Sequence, residues 1–298
     1  MLVIILGLPY FAKKVAHSLS EENNNHHYIA LNTSEKIIDK IRFLLLLPFC
    51  STVYSISGTT STGGALKLAL ALKKKIVMHW VGTDVILAQK VHREGDPLPQ
   101  IIHASKHLCE VSWIQSELRE IGIEAKIVQI ASFDQTTIQR EPLPKSFSIL
   151  TYLSKNREIF YGMEKVTTLA KKFPHIEIRI AGISAYNKSL PPNIKLLGWV
   201  RDMAAEYKKC SLYLRLPEHD GLAFSVLEAL AYGRYVGYSQ DYDGTEYIDS
   251  EKKLIEYTQL LLDKHNKNEL PINSFGIKWV TENFDRKTNM ALLNAELL

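Results

Sequence analysis

Only three cysteines occur in 298 residues, Cys50, Cys109 and Cys210, far apart and outside any C-x-x-C or cysteine–histidine spacing. That argues against a disulfide scaffold and a cysteine-based metal site, and implies buried free thiols in a reducing, cytoplasmic compartment. No apolar run approaches the roughly 20 residues that cross a bilayer. The opening LVIILG lacks a basic segment before it, so it reads as a buried strand rather than a signal peptide. No G-x-G-x-x-G follows an apolar run and no acid lies at the matching distance, which argues against a dinucleotide-dependent oxidoreductase. Charge of one sign is scarce too. The net of +4 is small and evenly spread, so nucleic acid is not an expected partner, whereas an anionic small ligand or an acidic membrane surface is compatible. There is no internal repeat, and no low-complexity tract beyond NNNHH.

What is present is the composition of a folded globular chain, 46% hydrophobic and 23% charged, long enough for two α/β domains or one large one. Short apolar runs alternate with helical patterns throughout, the mark of parallel α/β sheets. Strands are expected at Leu2 to Leu6, Tyr28 to Leu31, Thr52 to Ile56, Ile76 to His79 and Ala125 to Ile130. A second series follows at Phe147 to Tyr152, Glu177 to Ile180, Ile194 to Leu197, Ser211 to Leu216 and Tyr235 to Ser239. Around Ser132 to Lys145 the pattern breaks into a polar run with two prolines, the best candidate for a linker. Three helices close the chain, near Lys252 to Lys264, Phe275 to Phe284 and Lys287 to Leu297.

The most informative stretch is HDGLAFSVLEALAYG, His219 to Gly233, set between two strands. Asp220 falls in a polar loop and Glu228 inside the helix that follows. A strand, a polar loop and a helix N-terminus form an anion-binding arrangement, because the helix turns unpaired N–H groups and about half a positive charge towards the loop. Two acids beside such a site suit the hydroxyls of a sugar better than its phosphates. A structural explanation competes for part of this. Ser225 and Glu228 have capping-box spacing, with Ser225 as N-cap, and Gly233 suits the residue just past the helix end. Capping does not reach Asp220 or His219.

This stretch resembles the E-x7-E signature of retaining glycosyltransferases of the family 4 type, whose usual pattern is E-G-F-G-L-x-x-x-E-A-M-A-x-G. Asp220 stands at the first Glu, Gly221 at the Gly, Ala223 at the second Gly, Glu228 at the second Glu and Gly233 at the last Gly. Asp for Glu and Ala for Gly are the departures. The resemblance implies an α/β chain of the GT-B fold, with two Rossmann-like domains facing each other across a cleft. Residues 1–142 would form an acceptor-side domain, 143–284 a nucleotide-sugar domain, and 285–298 a helix returning to the first. It also implies transfer of a hexose from a nucleoside diphosphate sugar, with retention, to a glycan, lipid-linked or protein hydroxyl. No cofactor or metal is expected; the nucleotide sugar is a co-substrate. Asp220 would contact the donor sugar and Glu228 the ribose, with Gly221, Leu222, Ala223, Phe224 and Ser225 shaping the donor loop. A non-catalytic sugar-nucleotide-binding subunit and a GT-B-like epimerase are the alternatives.

Further chemistry lies outside the motif. Lys155 and Arg157 follow the strand ending at Tyr152, where an open α/β sheet binds ligands, and suit a diphosphate; they equally suit a solvated turn. The family's Lys before the helix-opening Gly is missing, since Tyr161 precedes Gly162. Arg215, between apolar neighbours, needs either a phosphate or a carboxylate partner. HWVGTDV follows a strand and is expected to hold Gly82 and Asp84 in a turn; Asp84 is a candidate near the acceptor by resemblance to the family's H-G-x-D loop, and His79 a weaker one, two residues early. Gly7 and the loop from Ser57 and Gly58 to Ala65 are expected on the acceptor side. His103 and His107 have i, i+4 spacing but no third ligand, which favours a helix surface over a metal. The basic and apolar KIIDKIRFLLLLPF, Lys36 to Phe49, is expected to be buried in the first domain, with peripheral membrane contact as the alternative.

Overall fold

The computed structural model of the chain describes residues 1–23, 25–60, 64–95, 99–130, 138 and 140–298. They divide into two compact units, Met1–Phe133 with Phe284–Leu298, and Asp134–Asn283. Each is a parallel sheet with helical crossovers.

Unit 1 runs β1 (Leu2–Gly7), α1 (Pro9–Glu22), β2 (His27–Ala30), α2 (Ile37–Leu46), β3 (Thr52–Ile56), α3 (Gly64–Ala71) and β4 (Lys75–Trp80). It continues through α4 (Thr83–Arg93), α5 (Gln100–His103), β5 (Lys106–Cys109), α6 (Ser112–Glu120) and β6 (Ala125–Ile127). The six strands pair in the order β2-β1-β3-β4-β5-β6, all parallel. Val3, Ile4 and Ile5 in β1 and all five residues of β3 are buried, as expected of strands covered on both faces.

Unit 2 runs β7 (Ser148–Tyr152), α7 (Met163–Lys172), β8 (Glu177–Ala181), β9 (Ile194–Gly198), α8 (Met203–Lys208), β10 (Leu212–Arg215) and α9 (Phe224–Ala231). β11 (Tyr235–Tyr238), β12 (Glu246–Tyr247), α10 (Glu251–Asn266) and α11 (Ser274–Asn283) complete it. Its order is β12-β11-β10-β7-β8-β9, again all parallel. Renumbered from its own first strand, this is the 3-2-1-4-5-6 order of dinucleotide-binding sheets, read from the other edge.

The last helix, α12 (Arg286–Leu297), groups with unit 1. Asp285 caps it by accepting from the Thr288 amide at 2.8 Å. Glu296 receives both Lys106 and Lys126, whose hydrogen bonds hold its carboxyl below the usual range. Thr52 donates to the Leu297 carbonyl at 2.8 Å, and Tyr28 to the Asn294 side chain.

Four expectations need correction. The segment after His79 is not a simple turn: α4 begins at Thr83, and Asp84 sits in its first turn. His103 ends α5 while His107 lies in β5, so the two do not share a helix face. α2 is not buried in the core: only Phe43 and Leu47 are enclosed along the stretch from Lys36 to Phe49. The strand expected to reach Ile130 stops at Ile127. Half of the expected linker, residues 132–137 and 139, lies outside the described residues, as do 61–63 of the Ser57–Ala65 loop, Asn24 of NNNHH, and 97–98 of the stretch leading into α5.

All three cysteines are buried and free, and burial pushes Cys109 and Cys210 up to about 12. Among the described residues no helix is long and apolar enough to cross a membrane.

Candidate functional site

An open parallel sheet leaves a crevice at the carboxyl ends of two neighbouring strands whose crossovers leave in opposite directions. In unit 2 those strands are β7 and β10; in unit 1 they are β1 and β3. The residues singled out from the sequence fall beside these two points.

In unit 2, β10 ends on Arg215, which the sheet buries. A cation there needs a partner, and Asp220 supplies it five residues on. Arg215 Nε donates to Oδ2 at 2.6 Å and Nη2 to Oδ1 at 3.0 Å, a two-pronged bond. Burial acts to lower the Arg215 pKa, but the carboxylate overrides it and the guanidinium is held firmly charged. The guanidinium also lies 4.7 Å from the centre of the Tyr161 ring and 5.9 Å from that of Tyr152. Tyr161, the residue standing where the family has Lys, therefore covers Arg215. Arg215 is thus a partner of the carboxylate, and the loop from Leu216 to Asp220 is anchored through it.

The turn after β7 is tied to this loop. Glu218 N–H donates to the Phe160 carbonyl at 2.9 Å. Gly162 opens α7 at φ +90, and a Cβ there would come within 2.8 Å of the Leu216 carbonyl oxygen. Glycine is needed for both reasons, the left-handed backbone and the close approach. Lys155 and Arg157 lie exposed on this turn, and Arg157 stacks 4.2 Å over Phe160. Both residues are exposed and able to meet an anion. His219 is half-buried beside Asp220.

The capping box does not form. α9 begins at Phe224, its N-cap is Ala223 in an extended conformation, and no side chain caps it. Ser225 lies inside the first turn, so Glu228 does not reach back to a cap. Instead its Oε2 accepts from Tyr207 Oη at 3.0 Å. Tyr207 is fully buried, and burial followed by the Glu228 charge raises its phenol well above the ordinary value. Gly221, Leu222 and Ala223 are buried and Phe224 partly so; Tyr238 fixes the loop by donating to the Gly221 carbonyl at 2.6 Å.

Ser225 and Glu228 line a recess of about 110 Å³ with Tyr152, Ala181, Gly182, Trp199, Val200, Met203 and Tyr207. Trp199 follows β9 and is 77% exposed, an indole left bare beside a pocket. Gly182 at φ +97 lets the Tyr152 ring lie across the end of β8, where a Cβ would meet the ring at 2.8 Å. Sequence reasoning missed this wall because its residues come from four separate strand and helix ends. The exposed aromatic directly after a strand was the available signal. A larger depression of about 520 Å³ lies at the amino ends of β1 and β2, lined by Leu2, Ser20 and His26 to Ile29. It is at the wrong end of the sheet for this fold's ligands and has no acid or cation in its wall except the two histidines.

Unit 1's crevice is built differently. Gly7 closes β1 at φ +98, and a Cβ there would collide with the Ile56 carbonyl. Ser57 adopts φ +117 after β3, and Gly58 packs under the Trp80 ring, leaving no room for a side chain. Asp84 ties this corner together. Its carboxylate accepts from the amides of Gly58 at 2.6 Å, Gly82 at 2.8 Å, Val85 at 3.1 Å and Val81 at 3.2 Å. Burial raises its pKa against the pull of those amides. His79 is fully buried in β4, bonded to Tyr54 Oη at 2.8 Å and held neutral, its pKa lowered to about 3 by burial. No acceptor hydroxyl can touch a ring enclosed in the core, so His79 is a structural residue. Asp84 has its charge committed to backbone amides and fastens the loop rather than meeting ligand. Gly7, Ser57 and Gly58 do come together at the β1/β3 crevice.

No protein-family profile matches the sequence, and no curated protein matches it. Solved structures do. The Anabaena HepE structure, in complex with UDP and glucose, superposes with a TM-score of 0.71 at 12% identity, over 99% of this chain and 98% of the other. Sucrose-phosphate synthase from Thermosynechococcus elongatus gives 0.74 at 9% identity, over 99% and 98%. A UDP-GlcNAc 2-epimerase from Neisseria meningitidis bound to UDP-GlcNAc gives 0.59 at 14% identity, over 99% and 98%. The fold is GT-B, with two Rossmann-like units.

Proposed function

We propose that the chain is a retaining glycosyltransferase that moves a hexose from a nucleoside diphosphate sugar to a hydroxyl acceptor. The observation that carries this is the recess at the carboxyl ends of β7, β8 and β9, where Glu228 of α9 lines the pocket instead of capping its helix. In this reading the nucleoside lies in that recess, its base over Trp199 and its ribose hydroxyls on Glu228. The diphosphate meets the amino end of α9, Arg157 and Lys155. Asp220, held by Arg215, accepts from the donor sugar with the lone pairs that Arg215 leaves over. His219 flanks it.

As the anomeric bond breaks, negative charge grows on the leaving diphosphate. Chain-borne positive charge and backbone dipoles fixed beforehand stabilise it without reorganising. The acceptor hydroxyl approaches from the same face and passes its proton to the departing oxygen, which accounts for retention. The loops at Gly7, Ser57 and Gly58 are assigned to the acceptor. Arg215 is a positioning residue, holding both oxygens of the Asp220 carboxylate.

Mixing the chain with uridine and guanosine diphosphate sugars, and measuring both thermal stabilisation and release of nucleoside diphosphate, tests this. One donor should stabilise the chain selectively and be consumed when an acceptor is present. Asp220→Ala and Glu228→Ala should each lower transfer by about 10²-fold. If both variants stay folded and retain full activity, the assignment fails. The epimerase likeness favours a second reading, in which the donor is returned altered with no acceptor added; product analysis separates the two.

A further inference from the structure

We propose that α2 is a membrane-docking helix, which seats unit 1 on an anionic lipid bilayer. Helices that cover a sheet point their apolar stripe inwards, but α2 does the reverse. Its enclosed anchors are Phe43 and Leu47, one turn apart. Ile37, Ile38, Ile41, Leu44 and Leu45 are 53% to 72% exposed, and Phe49 just beyond the helix is 79% exposed. At about 100° per residue these five side chains fall within one outward stripe about 120° wide.

The charges around the stripe point to the partner. Lys40 and Arg42 flank it on either side, both exposed, and Lys36 stands at its start. Asp39, the acid of the helix, is turned inwards: it accepts from the Asn32 amide at 3.0 Å and contacts Arg42 at 3.5 Å. Beyond the helix end Lys74 crosses to the carbonyls of Pro48 and Cys50, at 2.7 and 2.9 Å. That places Lys74 beside Phe49. The outward stripe of α2 is therefore broad and apolar, with basic side chains on both margins; Glu35, exposed just before Lys36, accepts from the Asn32 side chain at 2.8 Å. Long basic side chains at the edges of an apolar face can bury their stems and keep their heads among lipid phosphates. A protein partner would have to offer a matching acidic rim; a bilayer with anionic headgroups offers one everywhere.

Flotation of the whole chain with vesicles of phosphatidylcholine, with or without phosphatidylglycerol, tests the proposal. Binding should require the anionic lipid and weaken as salt is raised. The variant I38N/I41N/L45N, which changes exposed residues only, should bind at least about ten-fold more weakly. K36Q/K40Q/R42Q should lose about five-fold per charge removed. Tryptophan introduced by L45W should shift its emission to the blue only with anionic vesicles. No binding, or binding that ignores the asparagine changes, overturns the proposal. So does a chain that dimerises in solution and becomes monomeric in the asparagine variant without ever meeting vesicles. None of these readings depends on nucleotide or catalysis, so a failed donor assignment leaves the test intact.

Discussion

The two crevices are built on the same sheet plan and use their polar residues in opposite ways. At the β1/β3 end of unit 1, the acid and the histidine that sequence pattern singles out are both consumed by architecture. Asp84 satisfies four backbone amides and His79 is sealed beneath the sheet surface. What remains exposed there is backbone, small residues and, just after β1, Leu8 and Tyr10. In unit 2, one acid is fixed by a buried arginine at the end of β10 and the other lines a recess, while two exposed cations stand on the turn after β7. A unit that leaves some of its charges exposed is prepared for a charged ligand. One that spends them on its own loops is prepared to hold a shape.

The strongest way to break this contrast is acid. His79 and His107 are held neutral by burial in unit 1, His79 with a pKa lowered to about 3. Unfolding returns a histidine to about 6.5, so the unfolded chain binds more protons in between. Stability from burying His79 neutral is complete above about pH 6.5 and is lost as pH falls towards 3, at up to about 1.4 kcal/mol per pH unit. Denaturant midpoints measured across that window should show the slope, and His79→Gln should flatten it. A slope unchanged in that variant would mean the ring carries its proton in the fold.

Next in size is the exchange of roles between the acids. Asp84→Ala orphans amides of the segments after β3 and β4 and should cost about 3 kcal/mol of stability, with nucleotide affinity nearly intact. Glu228→Ala should act the other way. Transfer should fall by about 10²-fold while stability drops by only about 1–2 kcal/mol, from the Tyr207 hydroxyl left unpaired. Melting curves and donor-turnover assays on the two variants decide it. Matching profiles would erase the distinction between the crevices.

Much of this was legible in the sequence, for a physical reason. Strands buried on both faces appear as apolar runs, and β3 was located to the residue. Asp220 lies in the loop after β10 and Glu228 inside α9, positions that the strand, loop and helix pattern makes readable. Other features were hidden. α4 was overlooked because its buried face amounts to Asp84, Val85 and Ala88, too narrow a pattern to stand out after a strand. The S-x-x-E spacing suggested a cap, yet α9 starts at Phe224, before Ser225, because Ala223 takes the N-cap backbone. α2 was misjudged because an apolar run does not reveal whether its outer face meets protein. The recess wall went unseen because Tyr152, Gly182, Trp199 and Met203 meet only in three dimensions.

The smallest expected effect is also the most specific to unit 2. Trp199 is 77% exposed at the mouth of the recess, so removing it leaves little unpacked and should barely move the melting temperature. An indole beside a nucleoside contributes through stacking, worth about 1–3 kcal/mol per base. Trp199→Ala should therefore weaken binding of uridine or guanosine diphosphate about ten-fold by calorimetry, a loss of about 1.4 kcal/mol at the low end of that range. Trp199→Phe should recover most of it, since a smaller ring still offers a face to the base. Inorganic pyrophosphate, which has no base, should bind all three proteins alike. If pyrophosphate binding falls along with the nucleotides, Trp199 shapes the phosphate end of the pocket and the nucleoside lies elsewhere.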